Sequence, residues 1–174
     1  MDTLQIADLK ATLPNFPDEV LVDWLLPYAR LEGWPPFGRH NNNPQAARWL
    51  GLLAKKDLDY WKSVNWSLHY GHIELDEFDS DTKNKIIDIV YAATKGENNL
   101  CSARIPDLKE RFDRIFSHLK SNGSLPGAPT LLKTENGLRA MDGNHRVAAY
   151  FFYRICPTTK NLFFQSQRFW VGAT

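Results

Sequence analysis

Five consecutive residues, Asp142-Gly143-Asn144-His145-Arg146, carry the groups in this chain best suited to binding an anion and acting on it. The hydrophobic pattern predicts that a strand ends just before them and that a helix begins at Asn144 or His145. The first N–H groups of a helix have no intrahelical acceptor and lie at its positive end, which favours phosphate or carboxylate. Gly143 permits a sharp turn and a close backbone approach to a ligand.

The side chains of this 142–146 loop add chemistry to that turn. His145 and Arg146 supply hydrogen-bond donors, and the planar guanidinium suits phosphate oxygens. Asp142 is expected either to hold a divalent metal beside the phosphates or to orient His145. The same residue types are also common in turns and helix caps, so a purely structural role is the alternative that the local sequence leaves open.

The elements around the loop follow from periodicity and turn signals. A helix is predicted over residues 106–122, with Asp107 as a capping residue and Gly123 as its stop. Strands are predicted over 128–133 and 138–141, joined through the Asn136-Gly137 hairpin signal. A buried helix over 147–153 and a short strand over 168–171 complete this half.

The first half of the chain reads as mainly helical. Helices are predicted over residues 19–31, with Asp18 as the cap, and over 45–53 and 57–64. A further helix is predicted to start at Asp79-Ser80-Asp81 and to end at Gly96. Pro27 is expected to kink or end the first helix. Residues 66–73 have a mixed period that fits either a strand or a turn of helix.

A family resemblance rests on the loop and its surroundings. Asp142-Gly143-Asn144-His145-Arg146 followed by Val-Ala-Ala resembles the D-G-N/H-H-R-x-A-A signature of the ParB/sulfiredoxin-like superfamily. The preceding helix, turn and hairpin are similar to the core of that fold, over about residues 98–174. The resemblance implies an α+β protein: a small mixed α/β nucleotide-binding core over 96–174 and a mainly helical elaboration over 1–95.

Members of that superfamily differ in activity. They include CTP-hydrolysing partition proteins, ATP-using sulfiredoxins, a free-serine kinase, and plasmid fertility-inhibition or oncogenic-suppression proteins with attributed ATPase and DNase activity. Asn144 stands where sulfiredoxin requires a cysteine, and the loop lacks the arginine-rich form of partition proteins. The fertility-inhibition branch therefore fits better than either.

The favoured hypothesis is a nucleotide-binding phosphohydrolase that uses ATP or another nucleoside triphosphate, with Mg²⁺ or Mn²⁺ and with DNA as a further substrate. Asp142, His145 and Arg146 are its candidate catalytic residues, and Asp142 is its candidate metal ligand. The candidate nucleotide-binding residues are Gly143, Asn144, His145, Arg146 and, from a separate loop, Arg39.

Two alternatives from other classes stay open. The first is a non-catalytic inhibitor of a conjugation or secretion protein that binds through the acidic residues 1–95. The second is a small-metabolite kinase, since relatives that phosphorylate a hydroxyl place a catalytic acid before the core helix, where Glu97 and Asp107 lie. Helix capping is the favoured interpretation of Asp107.

Other candidate residues have weaker patterns. Arg39 and His40, beside Trp34 and Phe37, would form either a lid over a nucleotide or an ordinary packed loop. His69, His72 and Glu74 have the side chains of a metal cluster, but their spacing favours surface residues. Core packing is the favoured role of the helical tryptophans, namely Trp24, Trp49, Trp61 and Trp66.

Composition bounds these hypotheses. The 174 residues are 43% hydrophobic and 13% aromatic, which excludes a disordered chain and suits one compact domain with elaborations. Residues 1–95 carry a net charge of −4 and residues 96–174 of +5, so an anionic ligand would be drawn to the second part. The two cysteines lack C-x-x-C spacing, which argues against a disulfide framework and a cysteine-type zinc site. The absence of a long apolar run and of a signal-like N-terminus predicts a cytoplasmic protein without a membrane partner.

Overall fold

The computed structural model describes residues 4–36, 44–96, 105 and 107–174, without the side chains of residues 44–46. The described part is of the α+β class, with helices and one four-stranded sheet in the order β1-β4-β2-β3. The helices are α1 (Ile6–Thr12), α2 (Asp18–Val20), α3 (Leu26–Glu32), α4 (Pro44–Leu52), α5 (Leu58–Ser63), α6 (Ser80–Lys95), α7 (Leu108–Asn122) and α8 (Asn144–Ile155). The strands are β1 (Asn65–Gly71), β2 (Thr130–Thr134), β3 (Gly137–Asp142) and β4 (Gln167–Ala173), and a 3₁₀ turn covers Leu75–Glu77.

The chain forms two compact units. One comprises Met1–Ser67 with Val171–Thr174, and the other comprises Leu68–Trp170. Helix α6 packs on α8, α7 and β3 within the second unit. The sequence-based prediction places this helix in the N-terminal elaboration, residues 1–95. The boundary between that elaboration and the nucleotide-binding core, at residues 95/96, stays a prediction.

The first unit is built on an aromatic core. Trp24 and Trp61 are fully buried with ring centroids 5.3 Å apart, and Phe16 packs edge-on to Trp66 at 4.9 Å. Trp49 is buried as well. The tryptophans of this unit are therefore packed against one another and against the core, as their spacing predicted.

The helical segment around Pro27 differs from its prediction. It begins with Pro17 at the N-cap instead of Asp18, and it continues past Pro27 to Glu32. A π-helical turn over Leu21–Leu25 lies directly before Pro27. Because proline lacks an amide proton for the regular ladder, this irregular turn is where the chain accommodates it.

The hairpin of the second unit agrees with the prediction. Strands β2 and β3 are antiparallel, with Thr134 opposite Gly137 at the turn and Thr130 opposite Asp142 at the far end. A bulge between Thr130 and Leu131 interrupts the register at that far end. The hairpin therefore brings the first residue of β2 next to the last residue of β3, where the 142–146 loop starts.

Helix α6 is attached to this hairpin through its N-terminus. Asp79 is its N-cap, accepting a hydrogen bond from the amide of Thr82 at 2.8 Å, and Gly96 ends it in the left-handed conformation. Asp79 also accepts from Arg139 on β3 at 2.7 Å. Burial opposes ionisation of Asp79, but the hydrogen bonds from Thr82 and Arg139 outweigh it and lower the pKa of this carboxyl.

Helices α7 and α8 run parallel, with both N-termini at the same end. Phe116, in the middle of α7, packs on Phe152 and Tyr153 in the later part of α8, at 5.3 and 6.0 Å. The charges of Asp107 and Arg111, at the start of α7, act on His145 at the start of α8. Two positive helix ends therefore lie beside the 142–146 loop.

In the residues that the structure describes, no helix has both the length and the apolar character that crossing a bilayer requires.

Candidate anion-binding site

The 142–146 loop forms the strand-to-helix turn that its sequence predicts. Strand β3 ends at Asp142, Gly143 is the N-cap with φ +82° and ψ 26°, and α8 starts at Asn144. The first intrahelical bond runs from the amide of Val147 to the carbonyl of Gly143, at 2.9 Å. The preceding three amides of α8 thus have no acceptor inside the helix, which is the geometry that anions use.

Arg146 folds back over this turn. Its Nη2 donates to Oδ2 of Asp142 at 2.6 Å, and its Nη1 donates to the carbonyl of Pro126 at 3.4 Å. The two side chains of the ion pair are only 14% and 23% exposed. A Cβ on Gly143 would lie 2.8 Å from Nε of Arg146, so the glycine also makes room for the guanidinium.

Three buried polar atoms around the loop have no hydrogen-bond partner among the residues that the structure describes. They are Oγ1 of Thr130, Oδ1 of Asn144 and Nε2 of His145. Thr130 is fully buried and lies opposite Asp142 in the hairpin. Unpaired buried polar atoms are uncommon in folded proteins because each lacks the hydrogen bonds it would make to water. A polar ligand at this end of α8 would satisfy them.

The environment of His145 favours the neutral form of its imidazole. Its burial lowers the pKa of the imidazole below the ordinary value of 6.5, and the nearby charge of Arg111 lowers it further. The carboxylate of Asp107 opposes both effects. A neutral imidazole can donate or accept a hydrogen bond, but it adds no positive charge to the site.

Two ion pairs lie at the loop among the residues that the structure describes. Asp142 pairs with Arg146, and Asp107 pairs with Arg111 at 2.7 Å. The expected side-chain cap by Asp107 is wrong: the residue occupies the N-cap position of α7, but its carboxylate bonds Arg111 instead. The N-terminal ends of α7 and α8 add their positive potential to that of these side chains.

Several predicted residues are placed elsewhere or lie outside the described residues. Arg39 belongs to residues 37–43 and Glu97 to residues 97–104, which are outside the described residues. His72 stacks on Phe164 at 5.6 Å, and Glu74 bonds Arg154 at 2.7 Å. Across the described ranges, no group of three or more metal-ligating side chains comes together. The assignment of Asp142 to a metal stays a prediction.

Sequence reasoning missed Thr130 and Arg111 as residues of this site. Thr130 reads only as a β-branched strand residue, and Arg111 as an exposed residue of an amphipathic helix. Their proximity to the loop follows from the hairpin register and from the parallel packing of α7 on α8. Neither the strand register nor the packing of α7 on α8 can be predicted from the spacing of residues in the sequence.

Comparison with protein-family models, with curated proteins and with solved structures finds no match to this chain. The resemblance to the ParB/sulfiredoxin-like superfamily therefore rests on the five loop residues and the order of the elements around them, and it stays a prediction.

Proposed function

We propose that the chain binds the phosphates of a nucleotide, ATP or another nucleoside triphosphate, at the 142–146 loop and hydrolyses them. The observation that carries this proposal is the set of unpaired buried atoms of Thr130, Asn144 and His145 around the N-terminus of α8. The hydroxyl of Thr130 and Nε2 of His145, in the tautomer that carries its proton there, can donate to phosphate oxygens, while Oδ1 of Asn144 needs a donor such as a bound water. The helix amides attract the anion that these side chains orient.

Each loop residue has a proposed role. The amides of Gly143 and Asn144 hold phosphate oxygens, and Arg146 exchanges its bond to Asp142 for one to phosphate. Asp142 is then available to hold Mg²⁺ or Mn²⁺, which would stabilise charge on the phosphates. Neutral His145 is suited to accept a proton from an attacking water. The same arrangement would act on a DNA phosphodiester.

Binding is tested first without chemistry. Isothermal titration of the chain with inorganic phosphate and with ATP should give saturable binding that Arg146→Gln weakens about tenfold, the usual worth of a charge-assisted contact to an anion. Arg114→Gln, an exposed arginine of α7, is the matched control and should leave affinity unchanged. A folded Arg146→Gln protein with undiminished affinity contradicts the proposal.

Turnover is tested next. Release of phosphate from ATP, and cleavage of DNA, should depend on Mg²⁺ or Mn²⁺ and should be lost in Arg146→Gln and reduced in His145→Gln. Binding without turnover under any of these conditions would leave a phosphate-binding protein and remove the hydrolase part of the proposal. Absence of both binding and turnover would favour the non-catalytic inhibitor, to be tested by capture through residues 1–95.

One observation favours a kinase as the second candidate. Asp107 acts electrostatically on His145, so an acid does lie near the loop from the start of α7. Its hydrogen bond from Arg111 lowers the pKa of Asp107, which makes this carboxylate a weaker base. If phosphoryl transfer to a hydroxyl compound occurs and Asp107→Asn abolishes it while ATP binding persists, the kinase is the better assignment.

A further inference from the structure

A surface cavity of about 280 Å³ lies at the opposite end of α8 from the 142–146 loop. Tyr153 and Arg154 in the last turn of α8 line it, together with Thr159, Lys160 and Phe164 from the following segment and His72 from the segment after β1. Helix α8 has 12 residues, which corresponds to a length of about 18 Å. The cavity shares no residue with the loop, so its role is independent of the proposed function.

The wall of the cavity is aromatic. The ring of Phe164 stacks on His72 at 5.6 Å and on Tyr153 at 5.2 Å, with interplanar angles of 20° and 25°. The hydroxyl of Thr159 donates to the carbonyl of Tyr153 at 2.7 Å, which fixes the turn after α8 against the helix. Tyr153 is fully buried behind this stack, so the ring surface that a ligand can reach is that of the exposed His72 and the half-exposed Phe164.

Two cationic side chains, Arg154 and Lys160, lie at the rim of the cavity and differ in their partners. Arg154 donates to Oε1 of Glu74 at 2.7 Å and to the carbonyl of Ile73 at 3.1 Å, so its charge is paired and its position is set. Lys160 is exposed and makes no ion pair with any described residue, while its amide bonds the carbonyl of Cys156 at 2.9 Å. Among the described residues that line the cavity, Lys160 is therefore the one cation for which no ion pair is formed within the described part of the chain.

From this arrangement the geometry points to a binding site for a small aromatic carboxylate, with its ring against the Phe164 wall and its carboxylate on Lys160. The volume equals that of about nine water molecules, which suits a single-ring acid and lies below the usual range for drug-sized ligands. A monoanion is favoured over phosphate because Glu74 already neutralises Arg154 and would repel a second negative charge.

Benzoate is the probe for this site, and benzamide is its uncharged counterpart of equal shape. In amide-resolved NMR titrations of the full chain, benzoate should shift the signals of Thr159 and Lys160 with a millimolar dissociation constant and should leave that of Gly143 unmoved. Lys160→Gln should weaken benzoate about three- to tenfold and leave benzamide unchanged. Lys133→Gln, an exposed lysine on β2, is the matched control and should change neither.

Several outcomes would overturn the assignment. They are the absence of benzoate-induced shifts at the cavity, an equal loss of benzoate and benzamide affinity in Lys160→Gln, or displacement of benzoate from these amides by inorganic phosphate. Shifts at Gly143 without shifts at Lys160 would assign benzoate to the anion site of the loop and remove the cavity proposal. Because the two sets of signals are separate, failure here is distinguishable from failure of phosphate binding at the loop.

Discussion

Removing the negative charge of Asp142 should strengthen anion binding at the 142–146 loop. In the structure this carboxylate bonds Arg146 at 2.6 Å, and both side chains are largely buried. An incoming phosphate must therefore compete with Asp142 for the guanidinium, and it must also approach a like charge. Asp142→Asn keeps the size of the side chain and removes both obstacles.

The size of the effect follows from the charge and the burial. Two unit charges 4 Å apart interact by about 4 kcal/mol at an effective dielectric constant of 20, and solvent screening and rearrangement reduce this to roughly 1–2 kcal/mol. Since about 1.4 kcal/mol is a factor of ten, Asp142→Asn should bind metal-free inorganic phosphate or ATP about five- to thirtyfold more tightly. Loss of the charge-assisted bond should lower the free energy of unfolding by about 1 kcal/mol.

Isothermal titration in the presence of a chelator measures the affinity, and urea unfolding measures the stability. Asp113→Asn is the control, because Asp113 pairs with Lys109 at the same i,i+4 spacing on the exposed face of α7. A weaker affinity of Asp142→Asn for metal-free anions would refute the reasoning. If the variant loses only the dependence on Mg²⁺ or Mn²⁺, Asp142 acts as the metal ligand that its sequence position predicts.

Three further predictions concern the loop and the hairpin that carries it. Gly143→Ala should lower the free energy of unfolding by about 1–2 kcal/mol, because φ +82° disfavours a Cβ, and should weaken phosphate binding by displacing Arg146. Equal stability in urea unfolding would contradict this. Because folding lowers the pKa of His145, the unfolded state binds more protons than the folded state at pH values between the folded pKa and 6.5. The free energy of unfolding therefore rises with pH in that window and decreases as the pH falls through it. His145→Gln should flatten that slope in urea titrations from pH 7 to 5, and phosphate should raise the pKa of His145 in NMR. Arg139→Gln should destabilise the chain by about 1–2 kcal/mol because it leaves the carboxylate of Asp79 buried without its cation; a thermal midpoint equal to that of the parent would argue against this.

The local elements around the site were predictable because short-range signals determine them. The Asn136-Gly137 turn forms the hairpin, Asp79 and Gly96 bound α6, and Gly143 starts α8. Each of these depends on the conformational preference of one or two residues and on the period of the neighbouring apolar positions. Such preferences act within a few residues, so they are legible without any knowledge of the fold.

Other features of the chain depend on which elements pack together. The helix through Pro27 continues because a π-helical turn precedes the proline. Asp107 is at the N-cap of α7, but its carboxylate accepts a hydrogen bond from Arg111, one turn away, and caps no amide. The unpaired oxygen of Thr130 lies beside the loop only because of the strand register.

The sequence by itself determined that a glycine turn between a strand and a helix would present amides, an imidazole and a guanidinium in one place. Only the tertiary structure decided that α7 lies parallel to α8, so that Arg111 and burial favour the neutral form of His145. It also decided that Arg146 is paired with Asp142 and that a cavity lined by Phe164 forms at the far end of α8. The physical reason is that turn formation is a local property of the backbone, whereas charge state and cavity shape depend on atoms brought close from distant parts of the chain.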